Sequence, residues 1–390
     1  MMKRRVAVAA TVVACLAASM VSATAAPDRQ STVPPPPSRM ALMQQAERVV
    51  AAGIPGVVVE TREGRGGQTV VAGVGDLRTD QAPRPHGQFR IGSVTKSFTA
   101  TVVLSLVAEG RADLDAPIDR YLPGVLPYSA PITVRELLQH RSGLYDYGNV
   151  LWASPELVAR SQFADYEPSE LVRIATREPL QFIPGTEFGY SNTDYVLLGM
   201  LVERITGHSY ADELERRVLV PAVLRHTYAA GHSPWLRRPA ARGYEAVEPS
   251  TRLADLTSYN MSAAWASGDI VSTTRDVNRF YAALLDGRLL PESLLREMQQ
   301  TSPAFPGFGY GLGLGRTEFC GQEVWGHVGG VPGYGTYSFT SPRSGRQITV
   351  AVNQGITQNQ AAQEAAYALV ALEFCGDPAP TDKDESVTND

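Results

Sequence analysis

The sequence predicts an α/β domain interrupted by a mainly helical insertion. Strand and helix patterns occur together at both ends of the chain, and the middle reads almost wholly as helix. At 390 residues, 44% hydrophobic and 19% charged, the chain suffices for one large or two intimate globular domains.

Residues 1–25 read as a secretory signal. Met1 to Arg5 carry positive charge, Val6 to Val21 are apolar, and Ala23-Thr24-Ala25 offers a small-residue cleavage site. The apolar stretch is short for a bilayer and lacks a stop-transfer flank, so no stable membrane anchor is expected. Cys15 follows Val12-Val13-Ala14 but lies too close to the charged residues for a good lipid-attachment box. A secreted protein is therefore expected. Loss of the signal takes Lys3, Arg4 and Arg5 with it and lowers the formal net charge from −5 to −8. An acidic chain with no basic run is a poor fit to nucleic acid or anionic lipid, and a monomer is the default.

Residues 26–38, ending in Val33-Pro34-Pro35-Pro36-Pro37-Ser38, read as a stiff polyproline leader rather than folded structure. The α/β domain covers 39–130 and 291–375. A helix is predicted from about Ser38 to Ala52, since Leu42, Met43, Ala46, Val49 and Val50 recur at helical spacing. Gly56–Glu60 and Thr69–Ala72 read as strands joined by a glycine-rich turn. Ser93 opens a helix that Gly110 closes, with Val102, Val103, Leu106 and Val107 as its apolar face. Within the insertion, 131–290, helices are predicted at Thr133–His140, Pro168–Arg177, Asp194–Thr206 and Tyr210–Val218. Strands follow at Gly309–Leu314, Gln322–Trp325, Gly335–Thr340 and Gln347–Asn353, then a helix at Gln358–Glu373. The tail, 376–390, is polar, acidic and expected to be disordered. Once the signal is removed, Cys320 and Cys375 are the only cysteines; in an exported protein they read as a disulfide, the alternative being two free thiols.

Of 35 basic residues only three are lysines, and Lys3 and Lys383 lie at the extremes of the chain. The third, Lys96, stands three residues after Ser93. Arginine stays protonated in proteins, whereas a desolvated lysine can act as a base. At i and i+3 on a helix the amine reaches the hydroxyl. The bland reading is a serine cap with an incidental lysine. Yet a cation in the first turn opposes the helix dipole by about 0.3–1 kcal/mol, where a capping box would place Glu or Gln.

Tyr190-Ser191-Asn192, after the Pro184-Gly185 turn, offers a phenol to carry a proton and an amide to hold a substrate; packing and helix capping are the alternatives. Trp325-Gly326-His327-Val328-Gly329-Gly330 closes a predicted strand whose glycines allow a substrate backbone close approach. His327 is read as a hydrogen-bond donor or an electrostatic tuner, or else as a structural histidine. The run Gly309-x-Gly311-x-Gly313-x-Gly315 alternates like a strand and opens no helix, so no dinucleotide is expected. The six histidines show no metal-ligand spacing, and neither metal nor cofactor is expected.

In order, and about 95 and 135 residues apart, Ser93-x-x-Lys96, Tyr190-x-Asn192 and His327-x-Gly329 resemble the active-site triplet of the penicillin-recognising serine hydrolases. Leu137-Leu138-Gln139-His140-Arg141-Ser142-Gly143-Leu144-Tyr145-Asp146-Tyr147, Gly199-Met200-Leu201-Val202-Glu203 and Gly309-Tyr310-Gly311-Leu312-Gly313-Leu314 resemble the secreted D-alanyl-D-alanine carboxypeptidase branch, related to class C β-lactamases. The resemblance runs from about Ala41 to Cys375. It implies the β-lactamase/penicillin-binding-protein fold, an antiparallel sheet flanked by helices with an all-α insertion.

It also implies an acyl-enzyme on Ser93, with Lys96 or a Tyr190 phenolate as base and Tyr190 returning the proton to the leaving amine. The Ser93 and Gly330 N–H groups would form the oxyanion hole, Asn192 would hold the substrate amide, and β-lactams would acylate the serine. Members of this branch carry hydroxyl residues around the His-x-Gly strand for the substrate carboxylate, where this chain has Val328 and Gly330. Arg316 is a candidate replacement, or a solvated strand-end residue. Trp152 either lines the acyl pocket or packs in the core. The leading expectation is a D,D-carboxypeptidase, with transpeptidation possible if an amine replaces water. The alternative is a D-aminopeptidase, esterase or β-lactamase of the same fold, and a third reading is a penicillin sensor that does not turn over.

Overall fold

The computed structural model describes residues 33–64, 66–246, 253–355 and 359–377. The signal and most of the acidic tail lie outside the described residues. Eight strands form one sheet: β1 (Gly56–Glu63), β2 (Gly66–Gly73), β3 (Ser302–Phe305), β4 (Phe308–Tyr310), β5 (Gly315–Phe319), β6 (Gln322–Val331), β7 (Tyr334–Thr340) and β8 (Arg346–Val352). Their spatial order is β2-β1-β8-β7-β6-β5-β4-β3, and every pairing is antiparallel. The five long helices are α1 (Arg39–Ala51), α2 (Thr95–Ala108), α3 (Asn192–Thr206), α4 (Thr274–Leu285) and α5 (Gln360–Cys375). This is the β-lactamase/penicillin-binding-protein fold, an antiparallel sheet flanked by helices. The middle of the chain also holds a three-stranded sheet of Phe89–Arg90, Ile270–Ser272 and Tyr228–Ala229, and a pair at Tyr244–Ala246 and Leu253–Asp255.

Strand alternation sorts the core into two layers. Val57 and Val59 pack with Leu42, Val49, Leu369 and Phe374 under α1 and α5. Val58 and Ala351 face the other way, into the larger cluster around Phe98, Leu104, Tyr195, Leu201 and Phe280. A disulfide joins Cys320, in the β5–β6 turn, to Cys375 at the end of α5. Closing a loop with a sequence separation of 55 contributes about 4 kcal/mol in the chain-entropy account.

Two strand expectations are corrected. The Gly309–Gly315 run is not one strand: β4 ends at Tyr310 and β5 starts at Gly315, with a loop between. That loop is pressed onto α2. A Cβ on Gly313 (φ +75°) would stand 2.5 Å from Ala100 Cβ and 3.1 Å from the Lys96 carbonyl oxygen, and Ser97 Oγ donates to Gly313 O at 2.7 Å. Gly313 thus serves close approach to the helix that carries Lys96, whereas Gly309, Gly311 and Gly315 meet Thr301, the Met298 carbonyl and Phe308, so the alternation has no single cause. Conversely, β6 does not stop at Trp325 but runs through His327, Gly329 and Gly330 to Val331. The polyproline segment, where described, has no regular structure but is held: Arg346 donates to the Pro34 carbonyl, and Gln68 to that of Pro37 at 3.3 Å.

Candidate active site

β5 pairs with β6 only from Gln322 to Gly326, so His327–Val331 keeps one edge free of β5. The turn Ile91–Ser93 packs against this stretch. A Cβ on Gly329 would sit 2.0 Å from Ile91 O and 3.1 Å from Ser93 N, and one on Gly92 (φ +55°) 2.8 Å from Gly330 N. Any side chain at 329 would push the strand off the turn. The backbone nitrogens of Ser93 and Gly330 thereby lie at the same junction of turn and strand.

Ser93 is not a helix cap. It sits inside a single 3₁₀ turn, Gly92–Val94, and α2 begins at Thr95 without a side-chain capping bond. Ser93 is half-buried and Lys96 fully enclosed. Lys96 Nζ lies 2.7 Å from Asn192 Oδ1, 2.9 Å from the Ser267 carbonyl oxygen and 3.1 Å from Ser93 Oγ. Burial pulls its pKa down from 10.5 to about 7, against the opposing pull of Asp146 and Asp194. A neutral amine has two N–H donors and one lone pair. The two carbonyl oxygens take the donors, which leaves the lone pair for the Ser93 hydroxyl.

The half-buried Tyr190 ring stands over this amine, Nζ lying 4.8 Å from its centroid. Burial raises the phenol's pKa, and only its contact with the Ser93 hydroxyl opposes that shift appreciably, so Tyr190 is protonated at neutral pH. Asn192 begins α3 with Ser191 as the cap residue, so it is not itself the cap. Its amide nitrogen donates to both oxygens of Asp146, at 3.2 and 3.1 Å. Asn192 therefore bridges Lys96 to a buried carboxyl group, with both ends of its side chain engaged.

His327 is buried on β6. Nδ1 lies 2.5 Å from Val328 O and Nε2 2.9 Å from the Tyr310 hydroxyl. Burial and the Lys96 charge drop its pKa to about 3, so the ring is neutral. With Nδ1–H given to the carbonyl and Nε2 accepting from Tyr310, His327 has no N–H left to donate, which leaves the electrostatic and the structural readings.

Val328 packs against the α1–α5 side of the sheet. Arg316, on β5 opposite Trp325, is paired with Glu323 at 2.5 Å and is not brought to the cluster. Trp152 packs with its ring 6.0 Å from that of Tyr147, whose hydroxyl reaches Ser267 Oγ at 3.3 Å. Sequence reasoning missed Ser267, which acts through a backbone carbonyl that any residue possesses. Asp146 and Tyr310 stand within longer runs, where nothing in the sequence sets them apart from their neighbours.

The beta-lactamase pattern matches residues 41–373. The chain belongs to the beta-lactamase family of serine hydrolases. This beta-lactamase relative is 31% identical over 276 residues to penicillin-binding protein 4* of Bacillus subtilis, a match covering 66% of this chain and 59% of that protein. The chain spans less than two thirds of the length of the first curated relatives it matches. Among solved structures it resembles a D-stereospecific amidohydrolase from Streptomyces (TM-score 0.78, 36% identity, 88% of this chain and 100% of that one). It also resembles D-amino acid amidase from Ochrobactrum anthropi complexed with L-phenylalanine amide (TM-score 0.76, 32% identity, 85% and 97%). Among the described residues no helix is long and apolar enough to cross a membrane.

Proposed function

We propose that this family member hydrolyses amides, esters and short peptides of D-amino acids through an acyl-enzyme on Ser93. The observation that carries this choice is that, among the described residues, none of the three positions considered for a substrate carboxylate offers it a free group. Val328 and Gly330 offer no hydroxyl, and Arg316 is tied to Glu323. A substrate that presents an amide or ester rather than a free carboxylate needs no such group. The likeness to a D-stereospecific amidohydrolase and a D-amino acid amidase over most of both chains supports the same choice.

In this reading Ser93 Oγ attacks the substrate carbonyl and gives its proton to neutral Lys96. Tyr190 is the less suitable base, because burial favours its protonated form. The N–H groups of Ser93 and Gly330 stabilise the oxyanion, an effect of about 3–4 kcal/mol per donor in other hydrolases. The Lys96 proton passes through the Tyr190 hydroxyl to the departing amine, and water then releases the D-amino acid. Cleavage of D-Ala-D-Ala ends is the second reading, favoured by the likeness to a penicillin-binding protein.

The test compares kcat/KM for D- and L-phenylalanine amide with D-alanine release from an acylated D-Ala-D-Ala peptide. The proposal expects the D-amide to exceed both others at least tenfold. Preferred release from the peptide would overturn it in favour of the carboxypeptidase.

A further inference from the structure

The segment that carries Tyr190 is held on both sides by one buried residue. The Gly189 N–H donates to the His140 carbonyl oxygen at 2.8 Å, and the Ser191 N–H to His140 Nδ1 at 3.3 Å. The residues on either side of Tyr190 are thus both tied to residue 140. The imidazole lies 4.3 Å from the Tyr190 ring, centroid to centroid. His140 adopts φ +56°, a left-handed conformation that a non-glycine residue keeps only when its surroundings enforce it.

The protonation pattern follows from counting donors. Nδ1 accepts from Ser191, so it carries no proton of its own, yet it also lies 2.9 Å from Asp194 Oδ2. One proton lies in that contact; with Nδ1 accepting from Ser191 we assign it to the carboxyl, so that the two donors share the single Nδ1 lone pair. Its other oxygen accepts from Ser142 Oγ at 2.5 Å. The ring proton then sits on Nε2, which among the described residues has no hydrogen-bond partner. The imidazole lies among the rings of Tyr190, Tyr195 and Tyr310, 4.3, 5.2 and 5.1 Å from them centroid to centroid.

We propose that His140 is a positioning residue for Tyr190, with Asp194 held as a neutral acid that donates to Nδ1 and shares its lone pair with the Ser191 amide. Burial, which raises the pKa of Asp194 and lowers that of His140, agrees with this assignment. Neutrality also matters to the base, because a charged Asp194 would raise the pKa of Lys96. The proposal accounts for the His140-Arg141-Ser142 run, whose first and third residues build the grip. It rests on the acyl-transfer reading of Ser93, Lys96 and Tyr190 and not on the substrate class.

The experiment measures the acylation rate by a fluorescent penicillin in full-length protein, with thermal melting as the folding control. His140→Phe, which keeps an aromatic ring, is expected to slow acylation on the order of 10²-fold, as a displacement of about 1 Å does. Initial binding should change less than about threefold. In a Tyr190→Phe background the same substitution is expected to cost less than about threefold, because its target is gone. Asp194→Asn should keep the rate within about threefold of the parent, since the amide N–H replaces the acid O–H, whereas Asp194→Ala should match His140→Phe. An undiminished cost of His140→Phe in the Tyr190→Phe background overturns the positioning role. An Asp194→Asn protein that folds but is as slow as Asp194→Ala overturns the neutral acid. A folded parent that neither takes up penicillin nor hydrolyses D-phenylalanine amide overturns the acyl-transfer reading itself.

Discussion

Asn192 Oδ1 lies 2.7 Å from Lys96 Nζ, closer than the 3.1 Å between the same amine and Ser93 Oγ. The base is thus oriented by an uncharged acceptor, and the Ser267 carbonyl oxygen is a second one at 2.9 Å. Carbonyl oxygens direct the two N–H groups without the strong preference for ammonium that a carboxylate would impose.

Replacing Asn192 with Asp should convert that support into a liability. A carboxylate in contact with Nζ favours the protonated amine, so the acidic limb of the kcat/KM profile is expected to move up by at least about one unit. A pH–rate series on Asn192→Asp and the parent checks this. An unmoved limb would show that Lys96 is not the titrating base.

In the parent, acylation needs neutral Lys96 and therefore rises with pH. Its pKa of about 7 places the midpoint near neutrality, with the rate falling roughly tenfold per unit well below it. Tyr190 adds no turn in this range, because burial pushes its ionisation to higher pH. Stopped-flow acylation between pH 5 and 9 reads the profile. Lys96→Arg, unable to deprotonate, should be folded and inactive.

The same shift makes Lys96 a pH-dependent cost to stability. Its folded pKa of about 7 lies below the ordinary 10.5. Between those values the unfolded chain binds more protons, so parent stability gains a rising contribution with pH, full only above the higher value and lost as pH falls through the lower. Lys96→Met lacks that contribution. Its melting temperature relative to the parent should be most favourable at or below pH 7 and decline toward pH 10, whatever constant cost the lost bonds add.

Gly329→Ala tests the seat of the nucleophile turn. The added Cβ would fall 2.0 Å from Ile91 O, a contact only backbone movement can relieve. Because that movement separates β6 from Ser93, kcat should drop on the order of 10²-fold or more. Steady-state kinetics with a melting control measure it, and an unchanged kcat would mean the strand does not help form the oxyanion site.

Much of this was legible in the sequence, and the gaps have physical causes. The lysine scarcity singled out Lys96 because a titratable amine is chemically distinct from arginine, and the Ser93 spacing followed from helical geometry. The sheet was legible where Val57, Val58 and Val59 are flanked by turn residues. Close packing of glycines was not, because the Gly309–Gly315 run has the same alternation whether it pairs in one strand or presses on separate neighbours, Gly313 on α2 and Gly311 on the Met298 carbonyl. Nor could one sequence reveal that Asn192 faces Lys96 and Asp146, since Asp146 lies 46 positions away. The neutral state of His327 was equally hidden, because it depends on the Tyr310 hydroxyl and on enclosure.

The most direct test of the account is to trap the acyl-enzyme with a penicillin, digest the protein and locate the added mass. A single adduct on the peptide containing Ser93, lost in Ser93→Ala together with hydrolysis of D-phenylalanine amide, is the predicted result. Turnover of that amide persisting in Ser93→Ala, or an adduct on another residue, would contradict it.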